Sequence, residues 1–109
     1  MSRTPEGIEK DKVKRYLDSI GAYQFWPVPG GYGKQGVDCY TCLPRWLRTP
    51  RDMYGFPEVG IFCAIEVKAP NGKITARQIA TLNEVDTAKG ITVAGTGDEI
   101  IEFLKSHAR

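Results

Sequence analysis

The sequence GIFCAIEVK, residues 60–68, is the most strand-like segment of the chain. It is an apolar run that ends in two charged residues, Glu66 and Lys68. Because side chains alternate along a β-strand, these two share one face, and Ile65 and Val67 lie on the other. A carboxylate and an ammonium on a half-buried face cost free energy of desolvation unless something uses them. Two explanations are open at this point: an ion pair at the rim of the sheet, or a divalent metal with an anionic ligand.

Outward from this strand, apolar periodicity and turn residues predict the remaining elements. In chain order we expect a helix over residues 6–20, a strand over 37–43, the strand over 60–68, a helix over 75–89, a strand over 91–94 and a helix from 96 to near the end. Residues 23–29, with aromatic side chains and prolines, predict a short extended segment. The order α-β-β-α-β-α favours an α/β fold, a mixed β-sheet flanked by helices, in a single domain of 109 residues. The strand–helix–strand unit of 60–95 predicts a right-handed crossover between parallel strands.

Two segments predict loops. Residues 30–36 contain four glycines in seven positions, which is typical of a turning loop. Neither a Lys followed by Ser or Thr nor a helix start comes after them, so we exclude a phosphate-binding P-loop. Residues 44–59 carry three prolines and three arginines and predict a surface insertion of a length that is often functional.

The composition excludes several classes of protein. Fifteen Lys and Arg against thirteen Asp and Glu leave a net charge of +2, which by itself does not indicate a nucleic-acid binder. Three cysteines exclude a scaffold in which every cysteine is paired in a disulfide. No apolar run approaches the roughly 20 residues of a membrane span, and the first residues lack the apolar core of a secretory signal. We therefore expect a cytoplasmic protein that has no membrane partner.

A second acidic residue, Asp38, lies in the strand predicted before residues 60–68. If these two strands pair as a hairpin, Asp38 near the start of one faces Glu66 near the end of the other. Hard divalent ions such as Mg²⁺ use one or two protein carboxylates and leave their other positions to water and phosphate. Lys68 beside such a pair could orient an attacking water and stabilise phosphate charge. The spacing therefore favours a metal-dependent site for phosphate chemistry.

The residues around this pair resemble the PD-(D/E)XK nuclease superfamily. They are Gly36-Val37-Asp38, Ile65-Glu66-Val67-Lys68, and the pattern P-x-G-x-x-T-x-x-Q of residues 70–78. The spacing after the lysine is similar to the VRR-NUC branch, and the resemblance covers nearly the whole chain. It implies a restriction-endonuclease-like fold. Two departures are that Val37 stands where the family often has proline, and that the insertion at 44–59 is longer than the usual short turn.

The resemblance also implies roles for individual residues. Asp38 and Glu66 would bind Mg²⁺ or Mn²⁺, with the backbone carbonyl of Val67 as a further ligand. Lys68 would serve the nucleophilic water. Gln78 would hydrogen-bond near the metal-bound water or the scissile phosphate, and its position in a capping box at the helix start is a second role that does not exclude the first.

The family further uses a glutamate of its first helix, and two residues fit this role. Glu9 is our choice, because it shares a stripe at helical spacing with Val13, Tyr16 and Ile20. Glu6 is the alternative, and either residue could instead simply favour the helix dipole.

Weaker signals concern cations and cysteines. Cys39 and Cys42 have CxxC spacing, but positions three apart in a strand face opposite sides, so we expect buried strand cysteines and no zinc site.

Several cations could contact DNA, although each alone is ordinary surface. They are Lys34, Arg45, Arg48, Arg51, Lys73 and Arg77.

The function that the resemblance implies is a Mg²⁺- or Mn²⁺-dependent DNA endonuclease. Stand-alone members of this branch are homodimers that cut branched DNA such as four-way junctions, so we expect the same partners, no small-molecule cofactor, and a bacterial cytoplasm or a phage-infected cell as the setting. The rival hypotheses are a non-catalytic nucleic-acid-binding module of the same fold, an adaptor that uses the insertion at 44–59, and the same chemistry on RNA.

Overall fold

The computed structural model of the chain describes residues 4–28, 36–46 and 58–107. These residues form a mixed α/β fold in which helices flank a four-stranded sheet. The elements are α1 (Pro5–Ser19), β1 (Tyr23–Phe25), β2 (Cys39–Trp46), β3 (Glu58–Val67), α2 (Ala76–Thr87), β4 (Ile91–Gly95) and α3 (Gly97–His107). The predicted class, a mixed sheet flanked by helices, is confirmed. No helix within the described ranges is both long and apolar enough to cross a membrane.

The sheet has the strand order β1-β2-β3-β4. β2 is antiparallel to both β1 and β3, and β4 runs parallel to β3. The predicted hairpin and the predicted parallel pair are therefore confirmed. The ladder between β2 and β3 ends at the pair Cys39 and Ile65. Glu66 is the next residue of β3, and Asp38 is the residue directly before β2.

The predicted element order α-β-β-α-β-α lacks one strand that the structure forms. Residues 23–25 pair with residues 40–42 as β1. Three residues are too short to show an alternating apolar pattern, and the prolines that follow argue against a strand in the sequence alone. The strand forms because the exposed edge of β2 supplies partners for its backbone.

At both ends of the insertion predicted at 44–59, the structure forms strand where a loop was expected. Residues 44–46 and 58–59 extend β2 and β3, and residues 47–57 lie outside the described ranges. The proline at position 44 suggested that β2 had ended. Within the described ranges, however, β2 has partners on the β1 side only at residues 40–42, so Pro44 lies on an edge there, where a missing N–H is tolerated.

The hydrophobic core lies between one face of the sheet and the helices α1 and α3. It consists of Val13, Leu17, Cys39, Leu43, Cys63, Ile65, Val67, Ile100 and Leu104, all without exposed surface. Each fully buried Leu or Ile contributes roughly 1.5–3 kcal/mol to folding. Because odd-numbered residues of β3 point into this core, Glu66 points to the opposite face.

Local sequence signals set where the helices begin. Thr4 caps α1 by accepting a hydrogen bond from the N–H of Gly7 at 2.9 Å, and Pro5 occupies the first turn. Thr75 begins α2 and Thr96 precedes α3, each with the reciprocal hydrogen bonds of a capping box. The cap at Thr75 matters for the site, since it determines where Gln78 lies.

Candidate metal centre

Two carboxylates meet where the β2–β3 ladder ends. The N–H of Val67 donates to Oδ2 of Asp38 at 2.8 Å, and the N–H of Asp38 donates to Oε1 of Glu66 at 3.2 Å. The predicted strand over 37–43 begins two residues later, at Cys39, so Asp38 precedes the strand. Its side chain therefore takes the place of a main-chain partner for Val67. The two acidic residues predicted to converge are brought together.

Glu66 is almost fully buried, with 1% of its surface exposed. Its second oxygen, Oε2, lies 3.1 Å from Nζ of Lys68 and accepts a hydrogen bond from Nε2 of Gln78 at 2.8 Å. Lys68 and Gln78, which the sequence predicted to share a site with Glu66, thus both contact its carboxylate.

Gln78 makes both of the contacts expected of it. Its Oε1 accepts a hydrogen bond from the N–H of Thr75 at 2.9 Å, which completes the capping box. Its Nε2 donates to Glu66 in the same arrangement. The start of α2 therefore holds the amide against the buried carboxylate, and a role near a metal-bound water or a phosphate stays a prediction.

The pKa of Glu66 is raised to about 7, first of all by burial. The negative charge of Asp38 contributes to this rise, and the nearby ammonium of Lys68 opposes it. Two like charges in a buried corner of the sheet are unfavourable unless a cation joins them. Such a shift is common in functional sites.

The backbone carbonyl of Val67 points towards the same corner. The N–H of Lys68 donates to the carbonyl of Gly95 on β4 at 2.7 Å, and the N–H of Val67 points the other way, to Asp38. In a strand the N–H and C=O of one residue point in the same direction. The carbonyl of Val67 is therefore directed to the side of Asp38, beyond the last pair of the β2–β3 ladder.

These groups fit a hard divalent cation. Two carboxylates and a carbonyl are the oxygen ligands that Mg²⁺ and Mn²⁺ prefer, and Mg²⁺ usually keeps several waters. Among the described residues, no group of three or more His, Cys, Asp or Glu side chains is placed to hold a metal. The ion would therefore depend on Asp38, Glu66, the carbonyl of Val67 and water.

Glu9, our first choice for the helix glutamate, has a different partner. It is 7% exposed, and its Oε1 accepts a hydrogen bond from the N–H of Gly97 at 2.7 Å. Its Oε2 lies 3.6 Å from Nζ of Lys12. The inward direction predicted for Glu9 is seen, but the carboxylate contacts the N-terminus of α3 and is not brought to Asp38 or Glu66. A helix N-terminus with free N–H groups satisfies a buried carboxylate as a cation would.

Glu6, the alternative, is linked to Asp38 through one intervening residue, Lys10. Its Oε2 is 3.2 Å from Nζ of Lys10, and the same Nζ is 3.3 Å from Oδ1 of Asp38. Burial by itself lowers the pKa of Lys10, but Asp38 and Glu6 together raise it, so the ammonium stays charged.

Lys10 was not predicted from the sequence. Its spacing to Glu6 indicates only a helical i,i+4 ion pair, which is common on surfaces. The contact with Asp38 depends on how α1 packs beside the sheet.

The cations predicted to contact DNA are only partly described. Lys73 and Arg77 are exposed near the start of α2. Arg45 lies on β2, and Lys34, Arg48 and Arg51 fall outside the described residues.

The cysteines follow the strand alternation, with one correction. Cys39 and Cys63 are buried, but Cys42 is exposed and not buried as expected. Cys42 points to the sheet face opposite the core, because it is three positions from Cys39.

The chain was compared with known proteins by a scan of family models and by searches of curated proteins and of solved structures, and none of the three comparisons found a match.

Proposed function

We propose that the chain is a Mg²⁺- or Mn²⁺-dependent DNA endonuclease related to the VRR-NUC branch, with a restriction-endonuclease-like fold. One observation carries the proposal: Asp38 and Glu66 converge at the end of the β2–β3 ladder, with Nζ of Lys68 3.1 Å from Glu66. These are the residues that carry the resemblance, and they come from two segments that are far apart in sequence. An ion pair at the rim of a sheet would require neither the second carboxylate nor the burial of Glu66.

Each side chain of the site has a role in this proposal. Asp38, Glu66 and the carbonyl of Val67 would hold the metal ion, which when bound lowers the pKa of a water ligand and neutralises charge on a phosphate. The ammonium of Lys68 is placed to orient the attacking water and to stabilise phosphate charge. Gln78 holds the carboxylate of Glu66 in one orientation through its 2.8 Å hydrogen bond.

The proposed substrate is branched DNA, and the proposed active form is a homodimer. A domain of 109 residues has little surface with which to hold a four-way junction. Two copies related by a two-fold axis would present two sites to two strands of opposite polarity.

A cleavage assay tests the function. The purified protein is incubated with duplex, single-stranded and four-way-junction DNA, and with a matched RNA, in Mg²⁺, Mn²⁺ or EDTA. We expect metal-dependent cleavage of DNA, strongest on the junction, that leaves 5′-phosphate and 3′-hydroxyl ends. Glu66→Ala should abolish it, and Glu102→Ala, which removes an exposed glutamate of α3, should not change it.

Three results would contradict the proposal. Cleavage that persists in Glu66→Ala would indicate a contaminant. Binding without cleavage under any of these conditions, with the affinity unchanged in Lys68→Met, would favour a non-catalytic binding module. Cleavage of RNA alone would retain the chemistry and change the substrate.

A further inference from the structure

Lys10 of α1 joins the carboxylate pair to the first helix. Its ammonium lies 3.3 Å from Oδ1 of Asp38 and 3.2 Å from Oε2 of Glu6. Neither the resemblance nor the sequence pattern gives this residue a role in the site.

The two oxygens of Asp38 have different partners. Oδ2 accepts the N–H of Val67, a backbone group that cannot move away without disturbing β3. Oδ1 lies 3.3 Å from the ammonium of Lys10, a side-chain group that can move without disturbing a strand. Oδ1 is therefore the oxygen of Asp38 that a divalent cation can take, and Lys10 is the group that it must displace.

A displaced Lys10 would stay near the site. A divalent ion at Asp38 repels an ammonium a few ångströms away, whereas Glu6, one helical turn away on α1, attracts it. The Lys10 side chain is 32% exposed, so it has room to turn towards a ligand in solvent. Lys68 already lies on the Glu66 side of the pair, at 3.1 Å. Lys10 supplies a second ammonium on the Asp38 side.

Resting on the function proposed above, we propose that Lys10 exchanges with the metal ion. In the metal-free protein it neutralises Asp38. When the ion binds, Lys10 is released to contact a backbone phosphate of the DNA. Metal binding and phosphate binding would thereby be coupled through one side chain.

Calorimetric titration with Mn²⁺ tests the first half of the proposal. Lys10→Met removes the charge and keeps an unbranched side chain that favours helix. We expect it to bind Mn²⁺ about two- to fivefold more tightly than wild type, the range expected for the loss of one partly exposed ion pair. Lys10→Arg should bind Mn²⁺ like wild type. The matched control is Lys14→Met, which removes another lysine of α1. Its ammonium lies 5.0 Å from the centre of the Trp26 ring, and its loss should leave Mn²⁺ binding unchanged.

The salt dependence of DNA binding tests the second half. Binding of a four-way junction is measured in Mn²⁺ over a series of NaCl concentrations, with Lys68→Met present in every protein to prevent cleavage. Loss of one phosphate contact should reduce the slope of log K against log [NaCl] by about 0.9. We expect this reduction on adding Lys10→Met, and not on adding Lys14→Met.

An unchanged or weaker Mn²⁺ affinity in folded Lys10→Met would overturn the exchange, and so would an unchanged salt slope. A purely structural Lys10 would lower the melting temperature without either effect. Wild-type protein that binds no Mn²⁺ would contradict the proposed function itself, and the exchange with it. The wild-type titration therefore distinguishes a failure of the proposed function from a failure of the Lys10 exchange alone.

Discussion

Glu66 lies at the end of β3 and Lys68 directly follows that strand, but only Glu66 is nearly inaccessible to solvent. Its carboxylate has four polar neighbours: the N–H of Asp38, the Asp38 carboxylate, the Lys68 ammonium and the Gln78 amide. Three of these neighbours follow from strand alternation, which places Lys68, and from register, which places both groups of Asp38. The contact with Gln78 follows from the capping box, because the third residue of α2 is the one that turns back towards the helix start.

The raised pKa of Glu66 predicts a pH dependence of stability in the metal-free protein. Its ordinary value is 4.5 and its folded value is about 7, so the folded state binds the proton more tightly than the unfolded state does. This difference contributes at most roughly 3 kcal/mol to the free energy of unfolding. The contribution is fully present below pH 4.5 and is lost as the pH rises through 7.

Thermal unfolding in EDTA between pH 4 and 8 measures this contribution. We expect the melting temperature of wild type, relative to Glu66→Gln, to fall over that interval. Glu102→Gln is the control and should keep the wild-type pH dependence. A wild-type melting temperature that rises relative to Glu66→Gln between pH 4.5 and 7 would show that the burial of Glu66 has the opposite effect.

α1 contributes to the site through its first two turns. Glu6 and Lys10 lie on the side of Asp38, whereas Glu9 is turned to the N-terminus of α3. Glutamates three residues apart on one helix thus have unlike partners. The packing of α1 against both α3 and the sheet produces this difference.

Glu9→Ala separates a capping role from a metal role. Gly97 is buried, and its N–H would lose its acceptor, which costs about 1–3 kcal/mol. We expect chemical denaturation to show this loss, while the rise in melting temperature on adding Mn²⁺ is unchanged. Glu6→Ala is the comparison, and it should cost little stability because its ion pair with Lys10 is partly exposed to solvent. Loss of the Mn²⁺ effect in Glu9→Ala would instead support our first choice of helix glutamate.

Considered as a whole, the sheet has one covered face and one partly open face. Of the described elements, α1 and α3 cover the first face, and α2 covers the second near β3 and β4. Exposed aromatic side chains lie on the open part, with Tyr23 69%, Phe25 52% and Phe62 50% accessible. The ring of Tyr40 stacks with that of Phe62 in the same area. Contiguous exposed apolar surface of this kind is typical of association sites.

The proposed homodimer would have this open face available to bury. Light scattering coupled to size exclusion should give about twice the 12.1 kDa of one chain. Phe25→Asp should shift the mass towards one chain, because it places a charge within the aromatic area. Val28→Asp changes a residue that is 85% exposed and should not alter the mass. A wild-type monomer that stays monomeric on junction DNA would contradict the homodimer.

The types and order of most elements, and the meeting of Asp38 with Glu66, could be predicted from the sequence. Strand period, turn residues and helix caps are local signals, and the turn after β3 together with the parallel crossover leaves few ways to arrange the strands. The strand β1 and the extension of β2 past Pro44 could not be predicted, because both depend on which edge of β2 is left open. The partners of Glu9 and Lys10 were also beyond local patterns. A long side chain on a helix can reach several neighbours, and the angle at which α1 packs against α3 and the sheet selects among them.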